Sequence, residues 1–284
     1  MGVITAESYL ELPPVAELRG VVRTVWVQRV GAVDYVQRHL PTGGVELHFP
    51  LGGWPRLVGP LTGPVVEVVP AGTTLVGVRF HPGAAPPLGA LLDELVDRHL
   101  SLEELWGRTA QRLADVLAGI DAPGRALHVV QAHLVREFRR SGGPDPLVGA
   151  TVDGLMPWRP VAIDGLAEHL ALSTSQLRRR CLRAVGLSPK ELQRTLRFQG
   201  FLALAQARAT ASGRRGVDGV AGLAVDVGYS DQAHLSRECL RLTGLTPGQL
   251  LGGDVDRCAC GHDHSASYGP FLATRRMRDS FKTT

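Results

Sequence analysis

The sequence predicts an α+β protein in which a small N-terminal β-barrel with linker helices precedes an all-α domain with two helix-turn-helix motifs. Three observations support this fold class. Short valine-rich runs separated by Gly and Pro fill the first 85 residues, apolar residues at helical spacing follow them, and one helical pattern occurs twice between residues 161 and 250. A chain of 284 residues with these changes of pattern divides into about two domains.

Composition is that of an ordinary globular protein, with 44% hydrophobic and 20% charged residues. No apolar run reaches the roughly 20 residues that a membrane-spanning helix needs, so we expect a cytoplasmic protein without a membrane partner. Four cysteines give no disulfide framework. No phosphate loop, Ser/His/Asp arrangement or paired-carboxylate motif stands out, so neither an enzyme nor a cofactor is predicted.

Five runs predict the strands of the N-terminal domain: residues 21–30, 33–40, 45–49, 65–69 and 74–80. In the third run, Val45, Leu47 and Phe49 alternate with Glu46 and His48, so the two sets face opposite sides of a strand. If the polar side points into the barrel, Glu46 and His48 line a pocket. A barrel of this size encloses one small ligand, and a partly apolar organic molecule is the default expectation.

After the strands, apolar residues follow a helical period in three stripes, over residues 88–96, 102–117 and 127–138. Ser101 is a predicted N-cap for the second stripe, because Glu104 follows three residues later and completes a capping box. The second and third stripes offer more apolar surface than a small barrel edge needs. We therefore expect part of it to be buried in a homodimer.

A Gly/Pro-rich stretch after Arg140 breaks the helical pattern and marks a domain boundary. We assign residues 1–140 to a β-rich domain with dimerisation helices and residues 141–154 to a linker. Residues 155–252 form the double helix-turn-helix domain, and residues 253–284 form a C-terminal tail.

The double motif is defined by eight residue types that recur at an offset of 58. Each copy consists of a short apolar helix, a turn and an arginine-bearing helix, which is the pattern of a helix-turn-helix. The second helices are predicted at 174–185 and 231–243, the latter capped by Asp231, with a long helix from 189 to about 208 between the copies. The recurring residues of the first copy are Leu177, Arg179, Cys181, Leu182, Arg183, Gly186, Leu187 and Pro189.

Positive charge is concentrated where the repeat lies, with a net charge of −2 over residues 1–150 and +5 over residues 151–253. A basic segment with helix-turn-helix motifs indicates double-stranded DNA as the partner. Arginines on the outer helix faces can bind guanine in the major groove or hold phosphates. The alternative is a merely solvated face, and Cys181 and Cys239 are predicted core residues. The predicted DNA contacts are Ser175, Arg178, Arg179, Gln232, Ser236 and Arg237.

The run Gly-Tyr-Ser-Asp-Gln-Ala-His-Leu-Ser-Arg at residues 228–237, followed by Gly-Leu-Thr-Pro at 244–247, resembles a known signature. It is similar to the second helix-turn-helix of AraC-type (AraC/XylS family) transcriptional regulators. Leu235 and Cys239 stand where phenylalanines are common in that family. The likeness covers about residues 155–250 and implies that the six predicted DNA contacts are base-reading positions.

Residues 41–47 and 77–83 resemble the cupin-like sensor region that precedes many AraC-type domains. This resemblance implies a barrel that binds a small-molecule effector, followed by helices that dimerise. It does not name the ligand. The expected function is therefore a sequence-specific, effector-controlled transcription regulator, with RNA polymerase as a further candidate partner.

Two metal alternatives stay open. The barrel residues His39, Glu46, His48 and His81 suit several divalent metals, against a simpler interpretation as a polar pocket. The tail residues Cys258, Cys260, His262 and His264 alternate, so an extended chain would place them on one side for Zn²⁺ or a softer ion, against a tail that binds nothing. The competing functions are a metal-responsive regulator that uses the tail and a cupin-like metal enzyme fused to a DNA-binding domain.

Overall fold

The computed structural model describes residues 8–159, 161–212, 219–252 and 264–282. Strands fill the N-terminal part and helices the rest, so the α+β class is confirmed. The strands are β1 Ser8–Leu12, β2 Val22–Arg29, β3 Tyr35–His39, β4 Glu46–Pro50, β5 Arg56–Val58, β6 Val65–Val69, β7 Thr74–Phe80 and β8 His99–Ser101.

The helices begin immediately after β8. They are α1 Leu102–Trp106, α2 Arg108–Ala118, α3 Pro123–Ser141, α4 Pro146–Gly154, α5 Ile163–His169, α6 Thr174–Val185, α7 Pro189–Ser212, α8 Val220–Asp226, α9 Gln232–Thr243, α10 Pro247–Gly252 and α11 Ser265–Lys282. None of these helices is long and apolar enough to cross a bilayer.

The strands form two sheets and do not close into the predicted barrel. Six strands pair in the order β1-β2-β7-β4-β5-β8, and β3 pairs only with β6 in a separate antiparallel ribbon. The ladder therefore ends at β1 on one side and at the short strand β8 on the other. The α+β prediction is right, but the N-terminal domain is an open sheet faced by a two-stranded ribbon.

The predicted strands occur close to their expected positions, and three short strands, β1, β5 and β8, were missed. The helix predicted over residues 88–96 is wrong, because only a 3₁₀ turn forms at Leu92–Leu95. Two prolines and Gly89 precede this turn, and Asp97 follows it with a left-handed φ of 56°. Leu88, Leu92 and Leu95 are buried all the same, whereas Leu91 is exposed, so the apolar spacing indicated burial of most of the segment and not a helix.

The predicted Ser101 and Glu104 capping box is present at the start of α1. Gly107 then adopts a φ of 52° and divides the expected helix into α1 and α2. The apolar stripes of α2 and α3 pack into the core of their own domain, with Leu113 and Leu134 buried. The surface on which the dimer prediction rested is therefore largely covered within one chain, although Val116 is 53% exposed.

The C-terminal domain, called the head below, is built on α4 to α10. The linker predicted over residues 141–154 contains α4, and its Val148 belongs to the core of the head. Helix α11 completes the structure. It lies against α7 and against β1 and β2, and its Phe271 is buried in the head core. The tail therefore contains a helix that contacts both domains.

Candidate DNA interface and pocket

The second helices of the two motifs, α6 and α9, begin with side-chain caps. Ser173 and Gln176 form a reciprocal capping box at α6, and the Asp231 carboxylate accepts a hydrogen bond from the His234 backbone N–H at 2.6 Å at α9. The buried faces carry Leu177 and Leu235. Each helix therefore starts at a fixed residue and turns one apolar face inward.

The predicted DNA contacts lie on the opposite faces. On α6, Ser175, Arg178 and Arg179 are exposed, and on α9, Gln232 and Arg237 are exposed. Among the ion pairs of the described residues, none involves these three arginines. Their guanidinium groups are therefore available to DNA.

Other arginines of the same helices have structural partners. Arg180 on α6 pairs with Asp145 at 2.6 Å, and Arg241 on α9 lies 3.7 Å from the Glu238 carboxylate. Ser236, a predicted contact, is half-buried and its hydroxyl donates to the Gln232 carbonyl oxygen at 2.9 Å. Arg178 and Arg179 are therefore the arginines of this run that have no ion pair among the described residues.

The C-terminal ends of both helices rest on the N-terminal domain. Gly186 ends α6 and Gly244 ends α9, each with a left-handed φ that favours glycine. A Cβ at Gly186 would come within 2.7 Å of the Leu92 carbonyl oxygen. At Gly244 the nearest atoms belong to Arg38 and Pro64, at 3.8 Å. The repeated glycine is thus the point at which each motif meets the N-terminal domain.

A cavity of about 90 Å³ lies where the two domains and α11 meet. The N-terminal strands supply most of its wall, Gln199 comes from α7, and Ser267 and Tyr268 come from α11. An engineered cavity of about 150 Å³ accommodates benzene, so this one suits a small molecule or one end of a longer molecule. The cavity belongs to both domains and not to the inside of a barrel.

The predicted pocket residue Glu46 lines this cavity and is buried. Its carboxylate accepts a hydrogen bond from Arg79 Nε at 2.7 Å and lies 3.4 Å from His48 Nε2. Burial alone would raise the pKa of Glu46, but the charge of Arg79 and the His48 contact outweigh it and hold that pKa well below its usual range. Glu46 is therefore an anion already paired within the protein.

His48 lies behind the cavity wall. Its ring meets the Trp26 ring edge to face, with 4.9 Å between the two ring centroids. Burial lowers the pKa of His48 to about 4, so the imidazole is neutral near pH 7.

A second buried carboxylate, Glu11 on β1, ties α11 to the sheet. It accepts hydrogen bonds from Arg79 at 2.9 Å, from the Ser267 backbone N–H at 2.9 Å and from the Ser267 hydroxyl at 2.9 Å. His264 Nδ1 lies 2.8 Å from the same carboxylate. Burial raises the pKa of Glu11, but His264 and Arg79 reverse that effect and hold the pKa well below its usual range.

Arg23 on β2 is one of three arginines in the cavity wall, with Arg38 and Arg79, that were not among the predicted pocket residues. It is 4% exposed, and its Nη2 donates to Gln199 Oε1 at 2.9 Å. Its Nε donates to the Ser267 carbonyl oxygen, and the guanidinium lies 4.8 Å from the Phe271 ring centroid. Burial lowers its pKa to about 10, which leaves it charged at neutral pH. Its Nη1 is buried and has no hydrogen-bond partner among the described residues.

The candidate metal residues of the sequence are only partly brought together. His39 and His48 lie together with Glu67, which the sequence interpretation did not include, and one ligand atom from each lies within 4.8 Å of the others. His81 is outside this group. Of the tail set, Cys258, Cys260 and His262 lie outside the described residues, and His264 contacts Glu11.

Residues 166–252 match the family described as a helix-turn-helix domain. Together with the two capped helices and their exposed arginines, this match shows a helix-turn-helix domain of the kind that binds DNA. The run at residues 228–247 that resembles AraC-type regulators lies within it. Residues 10–101 match a family described as a domain of unknown function, DUF6597.

Solved structures of ToxT from Vibrio cholerae are similar to the chain at low identity. One with an unsaturated fatty acid bound is 10% identical, with 93% of this chain and all of that chain covered and a TM-score of 0.44. One at 1.65 Å resolution is 9% identical over 86% of this chain and 98% of that chain, with a TM-score of 0.44. One from strain O395 is 9% identical over 81% and 97%, with a TM-score of 0.43. No curated protein sequence matches the chain.

Proposed function

We propose that the protein is a sequence-specific transcription regulator whose DNA affinity is set by a small organic anion bound between its two domains. Helices α6 and α9 enter successive major grooves. A second subunit and RNA polymerase are proposed further partners. The proposed base-reading residues are Ser175, Arg178, Arg179, Gln232, Ser236 and Arg237.

The connection of the two motifs supports this binding mode. They are joined by one long helix, α7, of 24 residues, and Arg194 near its start pairs with Glu238 on α9. Two motifs held together in this way can meet successive major grooves on one face of a duplex, which lie about 34 Å apart. The exposed and unpaired arginines of α6 and α9 provide the charge that such a complex needs.

The observation that carries the effector proposal is the buried guanidinium of Arg23. A buried charge is normally paired, because the desolvation of an unpaired ion is costly. No ion pair holds Arg23 in the described part of the chain, and one of its donors is unsatisfied. Among the described residues, the wall contains three arginines, at positions 23, 38 and 79, and the carboxylate of Glu46, while Glu11 behind the wall pairs with Arg79. A carboxylate or similar anion fits that imbalance.

The same arginines connect the cavity to the DNA-binding helices. Arg23 donates to Gln199 on α7, and Arg38 Nη1 donates to the Thr243 carbonyl oxygen at the end of α9, at 3.2 Å. An anion that draws either guanidinium toward itself weakens one of these contacts. A ligand shifts a conformational equilibrium only if it binds one state more tightly than the other. The proposed anion has different affinities for the two states because these contacts are intact in one and weakened in the other.

The proposal is tested on the full chain with a duplex selected from random sequences. DNA affinity and thermal unfolding are measured with a panel of small aliphatic and aromatic carboxylates and with their neutral amides. We expect at least one carboxylate to stabilise the protein and to change its DNA affinity, while its amide does neither. A ligand at 100 times its dissociation constant stabilises the folded state by about 2.7 kcal/mol.

Arg23→Met should weaken the binding of that carboxylate at least tenfold, by the loss of a buried charge-assisted contact. Arg29→Met is the matched control, since Arg29 is exposed on the same strand. Sequence-independent DNA binding would contradict the regulator. An active amide, or a carboxylate that binds Arg23→Met as well as the wild type, would contradict the anion site alone.

A further inference from the structure

We propose that His39, His48 and Glu67, with His99 as a fourth donor, form a binding site for a divalent transition-metal ion. The site shares His39 with the wall of the effector cavity, but the proposal does not depend on the proposed effector. Its four residues come from four different strands. His39 and Glu67 belong to the β3–β6 ribbon, and His48 and His99 belong to the six-stranded sheet.

The geometry brings nitrogen and oxygen donors to one point between the sheets. One ligand atom from each of His39, His48 and Glu67 lies within 4.8 Å of the other two, and His39 Nε2 lies 3.1 Å from Glu67 Oε2. The His99 ring is 5.3 Å from the His39 ring between centroids. Zinc bonds to imidazole nitrogen and carboxylate oxygen are about 2.0–2.2 Å long, so small side-chain rotations would bring these atoms into one coordination sphere.

The donors are largely buried, and one of them is unused. His39 and His48 are buried. Among the described residues, His99 Nε2 is buried and has no hydrogen-bond partner. Three neighbouring imidazoles and a carboxylate are donors that Zn²⁺ and related first-row ions can use.

The ion pair between Arg56 on β5 and Glu67 competes with metal binding. A metal ion that enters the site must displace Arg56 from the Glu67 carboxylate. The Arg56 side chain is 34% exposed, so its guanidinium can turn into solvent when the ion binds. Arg56 therefore lowers the affinity of the site for a metal ion, and its removal should raise that affinity.

The test is titration of the full chain with Zn²⁺ by calorimetry, and with Co²⁺ followed by its visible absorption. A Cys258→Ser, Cys260→Ser background removes the thiols of the tail. We expect one equivalent of Zn²⁺, weakened at least tenfold by His39→Ala and by Glu67→Gln. Arg56→Gln should bind more tightly than the parent, and this variant keeps every proposed ligand.

His128→Ala is the control, because His128 is exposed on α3, outside the cluster. It should bind Zn²⁺ as the parent does. Thermal unfolding of each variant without metal shows whether it folds. Failure of the thiol-free parent to bind Zn²⁺, or equal affinity of the parent, Glu67→Gln and Arg56→Gln, would overturn the proposal.

Discussion

Arg38 on β3 donates a hydrogen bond to the carbonyl oxygen of Thr243, the last residue of α9, at 3.2 Å. One side chain thus reaches from the wall of the cavity to the end of α9, the helix that carries the proposed DNA contacts Gln232 and Arg237. Helix C-termini carry unsatisfied carbonyl groups and partial negative charge, which a guanidinium stabilises.

Arg38→Met should loosen this end of α9 while the cavity keeps its remaining wall. We expect faster amide hydrogen exchange at Gly244 and Leu245, together with a changed DNA affinity in the absence of any effector. Hydrogen exchange resolved by mass spectrometry checks the first expectation, and Arg29→Met is the control. Unchanged exchange at both amides would show that the contact does not hold the helix end.

The two glycine caps should respond differently to alanine. Gly244→Ala should lower the free energy of unfolding by about 1–2 kcal/mol, the cost of a left-handed conformation for alanine. No clash adds to this cost, because the nearest atoms are 3.8 Å from the new Cβ. Gly186→Ala adds contacts of 2.7 Å with the Leu92 carbonyl oxygen and 2.8 Å with Pro60, for a total of about 2–4 kcal/mol. Urea unfolding of both variants measures the difference. Equal losses of stability would mean that a methyl group at position 186 does not clash with the Leu92 carbonyl oxygen.

Arg179→Ala and Arg237→Ala should each relax the base preference and weaken binding to the selected duplex by about 1–3 kcal/mol. The physical reason is the loss of bidentate hydrogen bonds to a base edge. Affinities for the selected duplex and for single-base variants measure the effect. Arg180→Ala, which removes the pair with Asp145, is the control and should keep the base preference. Equal weakening on every duplex, with a salt slope lower by about 1, would assign these arginines to phosphates.

Glu238 should contribute to stability in a pH-dependent way. Arg194 donates to its carboxylate from Nε at 2.8 Å and from Nη2 at 2.5 Å, and these hydrogen bonds lower the pKa of Glu238. A carboxyl whose folded pKa lies below its unfolded value stabilises the protein above the unfolded pKa. That contribution is lost as the pH falls through the folded pKa.

The wild type should therefore lose more stability than Glu238→Gln between about pH 5 and pH 3. Urea unfolding at a series of pH values checks this. Glu168→Gln, on the exposed face of α5, is the control and should follow the wild type. Parallel curves for the wild type and Glu238→Gln would show that the Arg194 pair contributes nothing in this range.

Cys181 and Cys239 should not react in the folded protein. Burial raises the pKa of Cys181 to about 11 and that of Cys239 to about 12, so the reactive thiolate is scarce. In a Cys258→Ser, Cys260→Ser background, Ellman's reagent should release no colour until urea unfolds the chain, when two thiols react. Rapid labelling without urea would place one of these cysteines outside the core.

Helices α6 and α9 could be predicted from the sequence because their signals are local. The capped start at Ser173, the capped start at Asp231 and the two glycine stops all lie within a few residues of the helices that they bound. The 88–96 helix failed because an apolar spacing of three and four also suits a buried irregular segment, and the neighbouring prolines and Gly89 were given too little weight.

The cavity could be predicted only in part. The alternation around Glu46 indicated a polar face, and Glu46 does line the cavity. The rest of the wall comes from residues far away in the chain. Arg23 meets Gln199 and Ser267 at separations of 176 and 244 residues, which no local pattern reports. An arginine within the valine-rich run 21–30 was the available signal, because a charge inside a buried strand needs a partner.

The position of α11 in the chain also orders events during synthesis. Helices α6 and α9 leave the ribosome before Ser267 and Tyr268, which form one wall of the cavity. At about 5–20 residues per second, that wall follows α10 by about 1–3 seconds. A nascent chain therefore exposes α6 and α9 before the cavity has all of its walls, and α11, which is made after them, encloses the Arg23 guanidinium.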